Sequence, residues 1–171
     1  MTFPAERIGY FCRQTLNMKK WMVAITLVTS WVFGYSQESA VTRTKLFNLE
    51  NGIAIGGHDP VAYFKQGKAI KGKDEFLVLS NGVDYYFSSA ANLDEFKKNP
   101  AKYEPQYGGW CAYAMGHDGS RVEVDPETFK IVNGKLYLFY NKFFNNTLKS
   151  WNKDEASLQR QADANWLKIY H

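Results

Sequence analysis

The stretch YYFSSAANLDEFKKNPAKYEPQYGGWCAYAMGHD, residues 85–118, decides how the rest of the chain reads. It opens on an aromatic strand and passes through Ser88 and Ser89 into a short amphipathic helix. Leu93 and Phe96 form the buried stripe of that helix, with Asp94 and Glu95 early and Lys97 and Lys98 late, as the helix dipole prefers. Asn99-Pro100 stops it. After the aromatic connection Tyr103–Tyr107, Gly108-Gly109 permits a tight turn, and Trp110 to Met115 reads as one or two helical turns. Cys111, Met115 and His117 fall within seven residues, and all three side chains are soft or borderline metal ligands.

Working outward, two hairpins flank this stretch. Phe76–Leu79 and Val83–Phe87 are apolar runs joined by Ser80-Asn81-Gly82, and Phe129–Val132 and Lys135–Phe139 are joined by Asn133-Gly134. Asn-Gly accepts the two positive φ angles of a type I′ turn, the strongest short hairpin signal. Upstream, Leu46 to Ile55 reads as a short strand, and Gly56-Gly57 then releases the backbone. Asp59 before Pro60 is an N-cap followed by a proline at the first helical position, so a short helix begins at Val61 and ends at Gly67. Downstream, Phe144, Leu148 and Trp151 give one helical stripe. Leu158, Ala162 and Trp166 give another, with Asp154 as the cap between them. No internal repeat or low-complexity tract stands out, although the two Asn-Gly hairpins hint at an old duplication. The composite is α+β: a small single domain of two short antiparallel hairpins with several short helices packed on them.

The first 37 residues differ in kind. Lys19 and Lys20 precede an apolar run from Trp21 to Phe33 that ends in Gly34-Tyr35-Ser36-Gln37. This has the charged n-region, h-region and small cleavage residues of a secretory signal, with Met18 as the expected start and 1–17 as an upstream extension. The run is shorter than the roughly 20 apolar residues of a membrane span, and no stable span is expected once it is removed. Residues 38–45 read as a flexible polar N-terminus and 46–171 as the domain. The expected location is periplasmic or extracellular.

The full chain has 21 Lys+Arg and 17 Asp+Glu. The leader holds Arg7, Arg13, Lys19 and Lys20 against Glu6, which leaves 17 basic and 16 acidic residues, a balance of +1. The basic character is largely a property of the leader and gives no argument for nucleic acid. Of the two cysteines, Cys12 lies in the leader, so the domain has Cys111 alone and no intramolecular disulfide is available to it.

These motifs resemble the YHS domain family. The longer exported members of that family carry GxDPVAYF, YxFSSxxN, NPxKY, YGGxCAYAM, GKLYL and ADxNW in this order. The chain matches them at Gly57–Phe64, Tyr85–Asn92, Asn99–Tyr103, Tyr107–Met115, Gly134–Leu138 and Ala162–Trp166. The resemblance implies a YHS/TRASH-like core with C-terminal helices and, for function, handling of a transition metal, copper first and zinc second. Short YHS modules read DPVCGM and FCSxxC and supply thiolates from those cysteines. Here the corresponding positions hold Ala62, Ser88 and Asn92, so a cysteine-rich site of that kind does not carry over.

The remaining candidate ligands are Cys111, His117, His58 and Met115. Cys111 reads either as a soft thiolate or as a buried small hydrophobe, and Met115 as a ligand or as core filler. His58 and His117 sit in loops as donors or as plain surface histidines. Tyr107, Trp110 and Tyr113, with Tyr63, Tyr85 and Tyr137, either line a ligand pocket or belong to the core. No catalytic triad order, phosphate loop or zinc-protease motif is present, and a non-enzymatic binding role is expected. Its partner would be a metal ion or a small molecule.

Overall fold

The computed structural model describes residues 40–170. The signal-peptide reading and His171 fall outside the described residues. Helix α1 (residues 40–46) leads into β1 (Leu49–Glu50) and β2 (Ile53–Ala54). Then come α2 (Pro60–Gln66), β3 (Lys73–Ser80), β4 (Val83–Phe87), α3 (Ala90–Lys98) and α4 (Pro100–Tyr103). The second part contains α5 (Ala112–His117), β5 (Asp125–Val132), β6 (Lys135–Phe139) and the hairpin β7 (Asn141–Lys142) and β8 (Asn145–Asn146). It ends with α6 (Thr147–Trp151) and α7 (Glu155–Tyr170). One sheet has the order β1-β2-β4-β3, with the β2–β4 pair parallel and the others antiparallel; β5–β6 and β7–β8 are two-stranded. The expected α+β domain is therefore the one observed. Among the described residues no helix is long and apolar enough to cross a membrane.

Strand β6 organises the interior. Successive side chains of a strand point to opposite faces, and here both faces are covered. Leu136 and Leu138 join a cluster of Val61, Tyr63, Val83, Tyr85, Phe87, Phe96 and Tyr103. Tyr137 and Phe139 join a second cluster of Tyr107, Met115, Trp151, Leu158 and Ala162. Burial pushes the phenols of Tyr63, Tyr85 and Tyr107 well above the usual range, and that of Tyr137 up to about 12. These tyrosines are neutral hydrogen-bonding core residues rather than proton carriers at neutral pH.

Three elements differ from the sequence reading. Leu46 to Ile55 is not one strand: β1 and β2 form a hairpin around Asn51-Gly52, because the turn reverses the chain. Where residues 38–45 read as unstructured, residues 40–46 are helical, because tertiary contacts order them. Arg43 pairs with Glu104 at 2.6 Å and lies 4.5 Å from the Phe47 ring centroid, while Trp110 Nε1 donates to the Leu46 carbonyl at 2.6 Å. Phe144 does not share a helical stripe with Leu148 and Trp151. The Asn146 side chain accepts from Leu148 N–H and starts α6 only at Thr147. Phe143 and Phe144 instead form the two-residue turn of the β7–β8 hairpin.

The hinted duplication is real in three dimensions. Residues 53–88 and 105–140 follow one plan at an offset of 52 positions, without insertion. The parallel contact Ile53–Asp84 recurs as Pro105–Leu136. The hairpin β3–β4 recurs as β5–β6, with a bulge between Lys73 and Leu77 in one and between Asp125 and Phe129 in the other. Ahead of each hairpin lies a left-handed tripeptide. Ile55-Gly56-Gly57 has φ of 55°, 53° and 74°, and Tyr107-Gly108-Gly109 has 56°, 59° and 85°. Each is closed by one bond, His58 N–H to Ile55 O and Trp110 N–H to Tyr107 O, both 3.1 Å. Glycine adopts these angles freely, whereas a left-handed Ile or Tyr costs about 1–2 kcal/mol. Both side chains are buried, which offsets that cost. Each tripeptide delivers one extended residue and then a helix N-cap: Asp59 for α2 and Cys111 for α5.

The second half is held by close packing of α5 on α7. A Cβ placed at Gly116 would lie 2.5 Å from the Leu158 carbonyl oxygen. Gly116→Ala therefore forces α7 outward, and we expect a loss of about 2 kcal/mol in urea denaturation.

Candidate functional site

The two N-cap residues occupy matching positions, but only the Asp59 side chain caps its helix by hydrogen bonding, whereas the Cys111 side chain makes no such bond to α5. Asp59 is fully buried. Its Oδ1 accepts from Val61 N–H at 2.9 Å and Ala62 N–H at 3.2 Å. Its Oδ2 accepts from Ser88 N–H at 2.8 Å, Ser88 Oγ–H at 2.6 Å and Asn92 Nδ2–H at 2.7 Å. A buried carboxylate is tolerable only when paired or hydrogen-bonded, and five donors meet that requirement. They tie α2 to the end of β4 and to the first turn of α3. The cap at Asp59 is legible in the sequence, but its partners across the fold are not. A Ser88/Asn92 pair four residues apart at the head of a helix was the available signal.

Cys111 is also fully buried. Its N–H donates to Val122 O at 3.0 Å, as Asp59 N–H does to Ile70 O at 2.8 Å. Its Sγ accepts from Tyr140 N–H at 3.4 Å, the counterpart of the Ser88 N–H bond to Asp59. Sγ also lies 3.4 Å from Thr147 Oγ1. The Thr147 hydroxyl has one proton, and it goes to the Tyr140 carbonyl at 2.9 Å. The sulfur contact is therefore S–H donating to Oγ1. The ring of bonds closes: Cys111 S–H to Thr147, Thr147 O–H to Tyr140 C=O, and Tyr140 N–H back to Cys111 Sγ.

Above this thiol lies an open pocket of about 430 Å³ between α5 and the hairpin that follows β6. Tyr113, Ala114, His117, Asp118 and Ser120 form one wall, Tyr140, Asn145 and Thr147 the other, and Val122 adds an apolar floor beside Cys111. The His117 ring stacks on Tyr113 at 5.6 Å, and its Nδ1 lies 3.5 Å from Asp118 Oδ2. Hydrogen bonds from Ser120, with a smaller contribution from His117, hold the Asp118 carboxyl below its usual range. The rim is thus a polar ring of imidazole, carboxylate, hydroxyl and amide over a small apolar floor.

The four soft or borderline ligands do not all meet. Cys111 and His117 line the same pocket. Met115 is fully buried in the second core cluster and faces away from it, with its carbonyl accepting from Asn165. His58 lies in the first half, with Nδ1 2.9 Å from the Ile55 carbonyl. The aromatic candidates separate as well. Tyr113 lines the pocket, Tyr107 is buried and donates to Asp163 at 2.9 Å, and Trp110 donates to the Leu46 carbonyl. The wall residues Tyr140, Asn145 and Thr147 were not candidates from sequence, because nothing in their spacing brings them to Cys111. Among the described residues no group of three or more His, Cys, Asp or Glu side chains is placed to hold a metal ion. The positions where short YHS modules carry thiolates are filled by Ala62 against the core and by Ser88 and Asn92 bonded to Asp59.

The family model of the YHS domain matches residues 61–107, in agreement with the resemblance read from the motifs. The matched segment runs from α2 through the first hairpin, α3 and α4 to the start of the second left-handed turn. No curated protein and no solved structure matches the chain.

Two outcomes follow from the caps. Asp59→Asn turns an NH2 donor toward a set of donors, and we expect it to lose at least about 3 kcal/mol in urea denaturation, since breaking a buried charged network strands its partners. Cys111 in the native protein should react with iodoacetamide at least about a hundredfold more slowly than in 6 M urea, because a buried, hydrogen-bonded thiol is inert.

Proposed function

We propose that the chain is a non-enzymatic binding protein of the cell envelope whose ligand, a small hydrogen-bonding molecule, sits in the pocket above Cys111. The observation that carries this reading is the combination of a satisfied thiol floor with a polar rim. The sulfur's hydrogen and lone pair are committed to Thr147 and Tyr140, so the groups free to meet a ligand are those of the rim. Pockets that hold small molecules combine an apolar base with a few convergent polar groups in a volume of roughly 300–1,000 Å³, and about 430 Å³ lies within that range.

A second reading has its own support. Cys111 and His117 line one pocket, the matched segment is of YHS type, and a thiol with an imidazole suits copper by softness. It requires the thiol to surrender its proton and its bond to Thr147, and it works with two protein donors.

One experiment separates the two. The protein is purified as the producing cell processes it and analysed by native mass spectrometry beside Ser120→Trp, which fills the exposed mouth and should change stability by no more than about 0.5 kcal/mol. We expect a small organic adduct on the unaltered protein that is missing from the variant. Absence of any adduct, together with no thermal shift from a panel of small polar metabolites, sinks the small-molecule reading. One equivalent of Cu(I) held tighter than about micromolar, and lost in both Cys111→Ala and His117→Ala, installs the copper reading in its place.

A further inference from the structure

Four two-residue hairpin turns occur among the described residues. Three are built from Asn-Gly: Asn51-Gly52, Asn81-Gly82 and Asn133-Gly134, with φ between 49° and 87°. The fourth, between β7 and β8, is Phe143-Phe144, with φ of 52° and 67°. A bulky side chain in the left-handed region is a genuine outlier, and strain of this kind persists where something else selects for the residue. Packing is not what selects here, because Phe143 is 89% exposed and Phe144 110% exposed. The chain uses the unstrained solution three times and abandons it where two aromatic rings stand in solvent at the end of a protruding hairpin.

We propose that this tip is a membrane-insertion point that seats the domain on an anionic lipid surface. Two features select that occupant, one at the hairpin tip and one in the segment that follows it. The first is size. Each ring brings roughly 150–250 Å² of surface, so the pair is well short of the ~800 Å² per partner of a stable protein interface. Two adjacent aromatics on a narrow projection instead suit the boundary between headgroups and acyl chains. The second is charge. From Asn141 to Lys153 the sequence contains Lys142, Lys149 and Lys153 and no acidic residue. Glu123 pairs with Lys142 at 3.6 Å, while Lys149 and Lys153 are exposed and have no ion pair among the described residues. Cationic side chains within ten positions of an apolar tip favour an anionic surface, since lysines near a membrane are attracted to anionic headgroups. The inference does not depend on what the neighbouring pocket binds.

The test compares the protein, purified as the producing cell processes it, with the double variant Phe143→Asn/Phe144→Gly. That variant installs the turn the chain uses elsewhere and should raise the melting temperature, so a failure to fold cannot mimic the result. Co-sedimentation is measured with phosphatidylcholine vesicles and with vesicles containing 30% phosphatidylglycerol. We expect binding to the anionic vesicles that falls at least about tenfold in the double variant. We also expect the emission of a tryptophan introduced by Phe144→Trp to be quenched by brominated acyl chains. Equal vesicle binding by both proteins, no binding by either, or no quenching overturns the proposal. So does concentration-dependent self-association in the absence of lipid that the double variant abolishes, because the tip would then dock on a second copy.

Discussion

The buried carboxylate of Asp59 is the interaction on which the rest of the fold depends. It accepts from both N–H groups at the head of α2, from the backbone and hydroxyl of Ser88, and from the Asn92 amide. Charge-assisted bonds of this kind are about twice as strong as neutral ones, and a low local dielectric strengthens them as a set. Three elements distant in sequence meet at one side chain, which fixes the packing of α2 and α3 on β4. Two of its partners, Ser88 and Asn92, stand where the thiolates of short YHS modules would be. Here a carboxylate and its donors join these turns.

Getting Asp59 to that place requires the left-handed turn at Ile55-Gly56-Gly57, and the same construction at Tyr107-Gly108-Gly109 brings Cys111 to the matching place in the second half. A thiol there makes weaker and fewer bonds than a carboxylate. The consequence is visible in what surrounds each cap. Around Asp59, α3 packs directly over the end of β4, through Ser88 and Asn92. Around Cys111, the closing hydroxyl comes from Thr147, seven residues beyond Tyr140, because the β7–β8 hairpin intervenes. That insertion leaves the pocket open on one side.

How much of this was legible in the sequence follows from the range of each signal. The Asn81-Gly82 and Asn133-Gly134 turns, the Asp59-Pro60 cap and the serine cap, which the sequence leaves between Ser88 and Ser89 and the structure gives to Ser89, are local devices, and each forms the element it suggests. The helix at residues 40–46 was not legible, because it is ordered by Arg43, Glu104 and Trp110, contacts more than 60 positions apart. The β7–β8 hairpin was not legible either. Phe143-Phe144 violates the turn chemistry by which hairpins are recognised, and Phe144 fits a helical stripe with Leu148 and Trp151 just as well. The duplication left little trace because the identities are sparse. They are Gly56/Gly108, Gly57/Gly109, Ala62/Ala114, Gly67/Gly119, Glu75/Glu127, Asn81/Asn133, Gly82/Gly134, Tyr85/Tyr137 and Phe87/Phe139. Most of these are backbone-conformation or core positions, which is what two copies must share to keep one plan.

The same correspondence changes the meaning of the lone cysteine. Read along the chain, a sulfur next to Met115 and His117 looks like part of a soft ligand set. Read across the two halves, Cys111 stands in the place of Asp59, not in the place of any thiolate. The counterparts of the thiolate positions Ala62 and Ser88 are Ala114 and Tyr140, and neither half carries sulfur there. Its neighbours agree, since the Tyr140 N–H that binds Sγ repeats the Ser88 N–H that binds the carboxylate. Cys111 stands at the head of α5 and is bonded to Val122, to Tyr140 at the strand end and to Thr147, so its position is accounted for before any ligand is considered. What distinguishes the second half is the ground not shared with the first. The inserted hairpin, with its strained aromatic tip on one side and the polar rim of the pocket on the other, departs from the common plan at a cost in backbone strain. A departure that the fold does not need is where selection for binding is to be sought.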